Sequence, residues 1–126
     1  MPTVQISLGD RSYSVIVENG LLKHTAALLA EHQLSHFRAA VISDETVASH
    51  HSKTLLASFG GEKPTLHTLP SGEASKSLSH AESICREMIR AGHDRRSLVI
   101  ALGGGVVGDL AGFVASIFYR GIPFVQ

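Results

Sequence analysis

Ser97-Leu98-Val99-Ile100-Ala101-Leu102-Gly103-Gly104-Gly105-Val106-Val107-Gly108-Asp109 is the stretch on which the fold turns. An apolar run, Ser97 to Leu102, closes on three glycines, and a second apolar, helix-compatible run follows from Leu110 to Tyr119. A glycine turn between a buried strand and a helix reads as an anion cradle. Glycines let backbone N–H groups approach a phosphate without Cβ interference, and the helix N-terminus adds unpaired donors and a positive dipole end. Gly103, Gly105 and Gly108 also fit G-x-G-x-x-G. That pattern alone is weak evidence for a dinucleotide, and the acid that confirms it, about 20 residues further on, falls past Gln126. The plainer alternative is a tight turn whose glycines only permit close packing.

Upstream, the pattern extends into alternating elements. Val4, Ile6 and Leu8 alternate with polar neighbours, as do Tyr13, Val15 and Val17 less cleanly, and Gly9-Asp10 separates them as a hairpin turn. A short helix is expected from Leu21, then a buried strand at Ala39 to Ile42. Ser43-Asp44-Glu45-Thr46 offers a turn and an N-cap for a helix ended by Gly60-Gly61. Thr65 to Leu69 is a candidate strand, broken by Pro70-Ser71-Gly72. A longer helix then starts near Ser77 to Ser79, with Ser79 and Glu82 at capping-box spacing. Leu78, Ala81, Cys85, Met88 and Ile89 lie along its apolar face, and Gly92 is its C-cap. A further strand begins at Ile122. The order βαβαβαβ requires crossover connections. The expected fold is therefore α/β: a Rossmann-like, largely parallel sheet with helices on both faces, preceded by an N-terminal β-hairpin. One domain is expected over residues 1–126, and because Val125-Gln126 falls inside an apparent strand, the chain reads as truncated relative to a natural domain.

Composition narrows the partner. Eleven basic and eleven acidic residues cancel without long runs of either sign, which argues against nucleic acid or an anionic membrane and for a small molecule. One cysteine excludes an intrachain disulfide framework, no apolar leader follows the N-terminus, and no stretch approaches the roughly 20 residues of a membrane span. A cytoplasmic location is expected.

In an open parallel sheet ligands sit beyond the carboxyl ends of the strands, where three loops fall here: Ser43 to Thr46, Ser71 to Ser77, and Gly103 to Asp109. The middle loop combines Ser71, Gly72, Glu73, Ala74, Ser75 and Lys76, a set able to hold ribose hydroxyls and phosphate oxygens, or equally a solvated loop with Ser77 as cap. Asp109 is either a helix-start dipole partner or a cofactor-orienting acid. Arg120 either satisfies a helix C-terminus or clamps a phosphate. Cys85 is expected in the core, and the eight histidines are read as surface residues that bind no metal.

Together, SGEASKSL (Ser71 to Leu78) and LGGGVVGDLAGFVASIFYRGIPFVQ (Leu102 to Gln126) closely resemble the 3-dehydroquinate synthase family. The likeness extends more softly to the opening hairpin and to Ile42 through Val47. It implies conversion of 3-deoxy-D-arabino-heptulosonate 7-phosphate to 3-dehydroquinate and phosphate, with a bound NAD that is restored in each turnover. It also implies a homodimer and a divalent metal, zinc or cobalt, held with most of the substrate by a helical C-terminal domain that would follow Gln126. By position, the resemblance assigns cofactor contacts to Asp44, to Ser71, Gly72, Glu73, Ala74, Ser75 and Lys76, and to Gly104, Gly105, Val106, Val107, Gly108 and Asp109. Arg120 would reach substrate phosphate, in this subunit or its partner's site. It assigns no catalytic or metal-binding residue within the chain, so this piece alone is expected to lack synthase activity and to bind NAD weakly or not at all. A related sugar-phosphate cyclase of the 2-deoxy-scyllo-inosose synthase type, a glycerol or iron-dependent alcohol dehydrogenase, and a non-catalytic nucleotide-binding module are the alternatives.

Overall fold

A computed structural model describes residues 2–126. Strand β1 (Thr3–Ile6) and strand β2 (Tyr13–Ile16) form an antiparallel hairpin in which Thr3 faces Ile16 and Ile6 faces Tyr13. Its turn is a 3-10 segment, Gly9–Arg11, entered by Gly9 at φ +64°. A second 3-10 turn, Leu21–His24, leads into helix α1 (Thr25–Glu31). Then strands and helices alternate: β3 (Arg38–Asp44), α2 (Glu45–Ala57), β4 (Thr65–Leu69), α3 (Leu78–Arg90), β5 (Ser97–Leu102), α4 (Gly105–Ile117) and β6 (Phe124–Val125).

The four strands β3 to β6 pair in the order β4-β3-β5-β6, all parallel. Ala40 and Ile42 of β3 join Val99 and Ala101 of β5 against α3 and α4, whereas Ala39, Val41, Leu98 and Ile100 pack with Leu29 of α1 and Leu55 of α2. Residues two apart share a face, so a strand apolar at every position must be covered on both. Helices on both faces follow from that. Removing a fully buried side chain such as Ile84 or Met88 would cost about 2–5 kcal/mol.

Several boundaries differ from expectation. Helix α4 starts at Gly105, five residues ahead of Leu110, because Gly104 serves as its N-cap and accepts from the Gly108 amide at 2.9 Å. It ends at Ile117; Tyr119 and Arg120 then take left-handed conformations, φ +46° and +63°, so the run does not continue as helix to Tyr119. Helix α3 is capped by Ser77, whose Oγ accepts from the His80 amide at 3.2 Å, and the Ser79/Glu82 capping box does not form: Glu82 pairs with Arg86 instead. Leu78 and Ile89 are 76% and 57% exposed, so the buried face of α3 is carried by Ala81, Ile84 and Met88, with Cys85 partly covered beside them. Gly92, φ +89°, ends α3 as expected, with its amide on the Ile89 carbonyl and that of His93 on Met88.

Candidate functional site

Chain order explains where the site lies. From β3 the chain steps outward to β4, returns past β3 to β5, and steps on to β6. Helices α2 and α4, which leave the neighbouring strands β3 and β5, therefore pack on opposite faces and open a crevice at the carboxyl ends of those strands. The floor of the crevice is tied shut by the buried Ser43, whose hydroxyl donates to the Leu102 carbonyl at 2.7 Å.

Three loops meet around it. Asp44 ends β3 and caps α2, with Oδ1 accepting from the Val47 amide at 2.8 Å and from the Ser71 hydroxyl at 3.2 Å. Thr46 and Ser71 hydroxyls are 2.8 Å apart. The loop after β3 is thus stitched to the loop after β4. That second loop turns at Gly72, φ +112°, and winds through a 3-10 turn, Glu73–Ser75. It presents Lys76, whose Nζ lies 2.7 Å from Asp109 Oδ2 in α4 and 3.6 Å from Glu73 Oε1. The hydrogen bond and charge of Asp109, with the charge of Glu73, raise the Lys76 pKa above its usual value, so the ammonium stays charged. All three side chains remain accessible to a ligand.

The glycine turn has a division of labour. A Cβ on Gly103, at φ +156°, would meet Val107 carbons at 2.9 Å, so this glycine is demanded by packing. A Cβ on Gly104 or Gly105 would meet nothing within 4 Å, which leaves open space over the first turn of α4. No side chain caps that helix. Its first amides are therefore free to take an anion. A Cβ on Gly108 would lie 2.5 Å from the Gln126 amide nitrogen, bringing the end of β6 against the same helix.

The expected residues fall into three groups. Asp44, Ser71, Gly72, Glu73, Lys76, Gly104, Gly105 and Asp109 are brought together, with Val106 beside them in the first turn of α4. Ser75 and Val107 are turned inward: Ser75 is buried and donates to the Pro70 carbonyl, and Val107 is core beneath Gly103, so neither side chain faces the crevice. Ala74 offers only backbone and a methyl. Asp109 does not cap α4; it sits in the second turn as the partner of Lys76. Arg120 lies beyond the far end of the 13-residue helix α4, about 20 Å from the glycine turn along its axis. Gln126 was not anticipated; its position at the end of a strand beside the glycine helix was the available signal. The reading of all eight histidines as surface residues is also corrected: His67 and His93 are 4% and 3% exposed. Among the described residues no group of three or more His, Cys, Asp or Glu side chains could hold a metal ion, and no helix is long and apolar enough to cross a membrane.

Crevice, switch point and glycine helix define a doubly wound α/β domain. A solved 2-deoxy-scyllo-inosose synthase superposes with a TM-score of 0.83 at 27% identity over 98% of this chain and 35% of its own. A second structure of that enzyme, complexed with carbaglucose-6-phosphate, NAD+ and Co2+, gives 0.81 at 28% identity over 98% and 34%. The chain itself matches the N-terminal part of 3-dehydroquinate synthase: the family model described as 3-dehydroquinate synthase N-terminal covers residues 66–126. The 3-dehydroquinate synthase of Mesorhizobium japonicum is 45% identical over 98% of this chain and 33% of that protein. The chain spans about a third of the length of the curated relatives it matches.

Proposed function

We propose that this chain is the NAD-binding part of a 3-dehydroquinate synthase, which converts 3-deoxy-D-arabino-heptulosonate 7-phosphate to 3-dehydroquinate and phosphate. The observation that carries the reading is the 2.7 Å contact of Lys76 with Asp109, which joins the SGEASK loop to the glycine helix at the switch point. The dinucleotide fits on physical grounds: free amides at the start of α4, open space above Gly104 and Gly105, and a charged lysine beside them. When bound, NAD supplies reversible hydride acceptance at a substrate alcohol. The chain's own residues bind and orient. The α4 amides offset pyrophosphate charge, Lys76 reaches phosphate or ribose oxygens, and Asp109 and Glu73 hold its ammonium in place. Asp44, already engaged by Val47 and Ser71, positions the loop for the adenosine end.

The described residues offer no ligand set that fits the metal, zinc or cobalt, of such enzymes. We assign metal, substrate and catalytic groups to a helical C-terminal domain of the full-length protein. With Arg120 a helix length from the crevice, its role in phosphate binding is across the interface of a homodimer. Cytoplasmic location belongs to the same reading. The close likeness to 2-deoxy-scyllo-inosose synthase favours one second reading, a related cyclase acting on a glucose-6-phosphate-type substrate. Phosphate release by the full-length protein, measured with each sugar phosphate in turn, decides. Turnover of the heptulosonate alone supports the first reading, turnover of the hexose phosphate alone the second, and turnover of neither overturns both.

A further inference from the structure

At the opposite end of the sheet a buried polar chain runs through five side chains that the cofactor site does not use. Glu87 Oε1 of α3 lies 3.0 Å from His67 Nδ1 in β4, and His67 Nε2 lies 2.8 Å from Thr65 Oγ1. Thr65 Oγ1 is in turn 2.6 Å from His93 Nε2, and His93 Nδ1 is 2.8 Å from Ser97 Oγ at the start of β5. Ser97 Oγ also accepts from the Asp94 amide at 3.2 Å.

Only one arrangement of hydrogens serves this chain while both rings are neutral. The Glu87 carboxylate accepts only, so His67 carries its hydrogen on Nδ1 and its Nε2 must accept from the Thr65 hydroxyl. That hydroxyl has one hydrogen, so its oxygen must accept from His93 Nε2–H. His93 Nδ1 is then an acceptor for the Ser97 hydroxyl, whose oxygen takes the Asp94 amide. Each donor is used once, in one direction, from Asp94 to Glu87.

We propose that the chain is a pH-reversible hydrogen-bond wire: protonating His67 at Nε2 reverses the donors at Thr65 and switches His93 from its Nε2–H to its Nδ1–H tautomer. The reversed state holds one proton more than the neutral one, on His67 Nε2, taken from solvent on the side of the part-buried Thr65, since Nδ1 facing Glu87 already carries its hydrogen. His93 gives up its Nε2 hydrogen and gains one at Nδ1, so its own count is unchanged. Thr65 turns its hydrogen to His93 Nε2, and His93 donates from Nδ1 to Ser97. The hydroxyl hydrogen of Ser97, a residue only 1% exposed, then loses His93 as its acceptor, so the reversed state is held less firmly at β5. The charged groups facing the two rings are Glu87 from α3, Arg38 from β3, Glu62 from the connection between α2 and β4, and Asp94 from that between α3 and β5. Burial, reinforced by the cations of Arg38 and His67, holds the His93 pKa down at about 4, so its own protonation is a separate, more acid event.

Long-range proton–nitrogen NMR of the imidazoles tests this. At neutral pH His67 should be the Nδ1–H tautomer and His93 the Nε2–H tautomer. As pH falls, the His93 nitrogens should exchange character with the midpoint of His67. In Thr65→Val, which removes the shared hydroxyl, His93 should no longer follow His67. Finding His67 as Nε2–H at neutral pH, a His93 tautomer indifferent to the His67 titration, or unchanged coupling in Thr65→Val overturns the proposal. If Thr65→Val does not fold, the unmodified chain's two titration curves still decide it.

Discussion

Two alanines placed two residues apart in the glycine turn should act in opposite directions. At Gly105, the first residue of α4, an added methyl meets open space and the φ is ordinary, so Gly105→Ala gains helix propensity and loses unfolded-chain entropy. Stability should rise by about 0.5 kcal/mol. At Gly103 the methyl would lie 2.9 Å from two carbons of Val107, a buried residue that cannot swing aside, on backbone at φ +156°. Gly103→Ala should lose about 2–4 kcal/mol. Ligand binding should follow the other order of cause. If a pyrophosphate lies within hydrogen-bond distance of the α4 amides, the Gly105 methyl occupies its path and weakens NAD at least about tenfold, or about 1.4 kcal/mol, in a better-folded chain. Urea unfolding supplies the first quantity and an NMR-monitored titration with NAD to millimolar concentration the second. A Gly105→Ala chain that binds NAD as well as the unmodified one, or that is destabilised, refutes the cradle.

Lys76→Ala should weaken NAD by about 10- to 100-fold while leaving the urea midpoint unmoved, since the pairs it breaks are exposed; the reverse pattern, read by the same two assays, makes it a structural residue. His93 stays neutral in the fold down to about 4, whereas in the unfolded chain it takes a proton near 6.5. The unfolded state therefore binds more protons between those values, and stability falls as pH drops through that window, by up to about 3 kcal/mol. Urea midpoints between pH 7 and 4 should show this slope and His93→Gln should lack it; equal slopes would sink the assignment. Arg120→Gly relieves a left-handed non-glycine residue and should raise stability by about 1 kcal/mol. In the full-length enzyme it should raise KM for the sugar phosphate in steady-state assays, and unchanged KM removes Arg120 from the substrate site.

Fold class was legible because glycine and proline punctuation coincided with continuous apolar runs in β3 and β5, the two central strands of a parallel sheet covered on both faces. The start of α4 was not. Gly105, Val106 and Gly108 are poor helix formers, and burial of Val107, Leu110, Ala111 and Val114 in the core makes helix the better state there. Leu78 and Ile89 misled because helical spacing identifies a face but not its edges. His67 carried a readable signal: Thr65, His67 and Leu69 share one face of β4, and Leu69 is 2% exposed. Nothing local predicts that Thr65 meets His93 or that Lys76 meets Asp109. Those contacts are set by which strand lies beside which.

The two ends of β4 and α3 are built by opposite rules. At one end Glu87, His67, Thr65, His93 and Ser97 use their hydrogen-bonding groups on one another, which excludes ligands and fixes how strand and helix lie together. About 17 Å away along the five-residue strand β4, the loop joining it to α3 satisfies its own backbone: Ser75 amide to Gly72, Lys76 to Glu73, Ser77 to Ser75. Its side-chain charges point outward instead. A binding loop needs rigid flanks so that ordering Lys76 on a ligand costs little, and needs unspent polar groups to bind anything at all. Closing one end of β4 and α3 with internal hydrogen bonds meets the first need. Leaving Glu73, Lys76 and the amides of α4 open at the other meets the second.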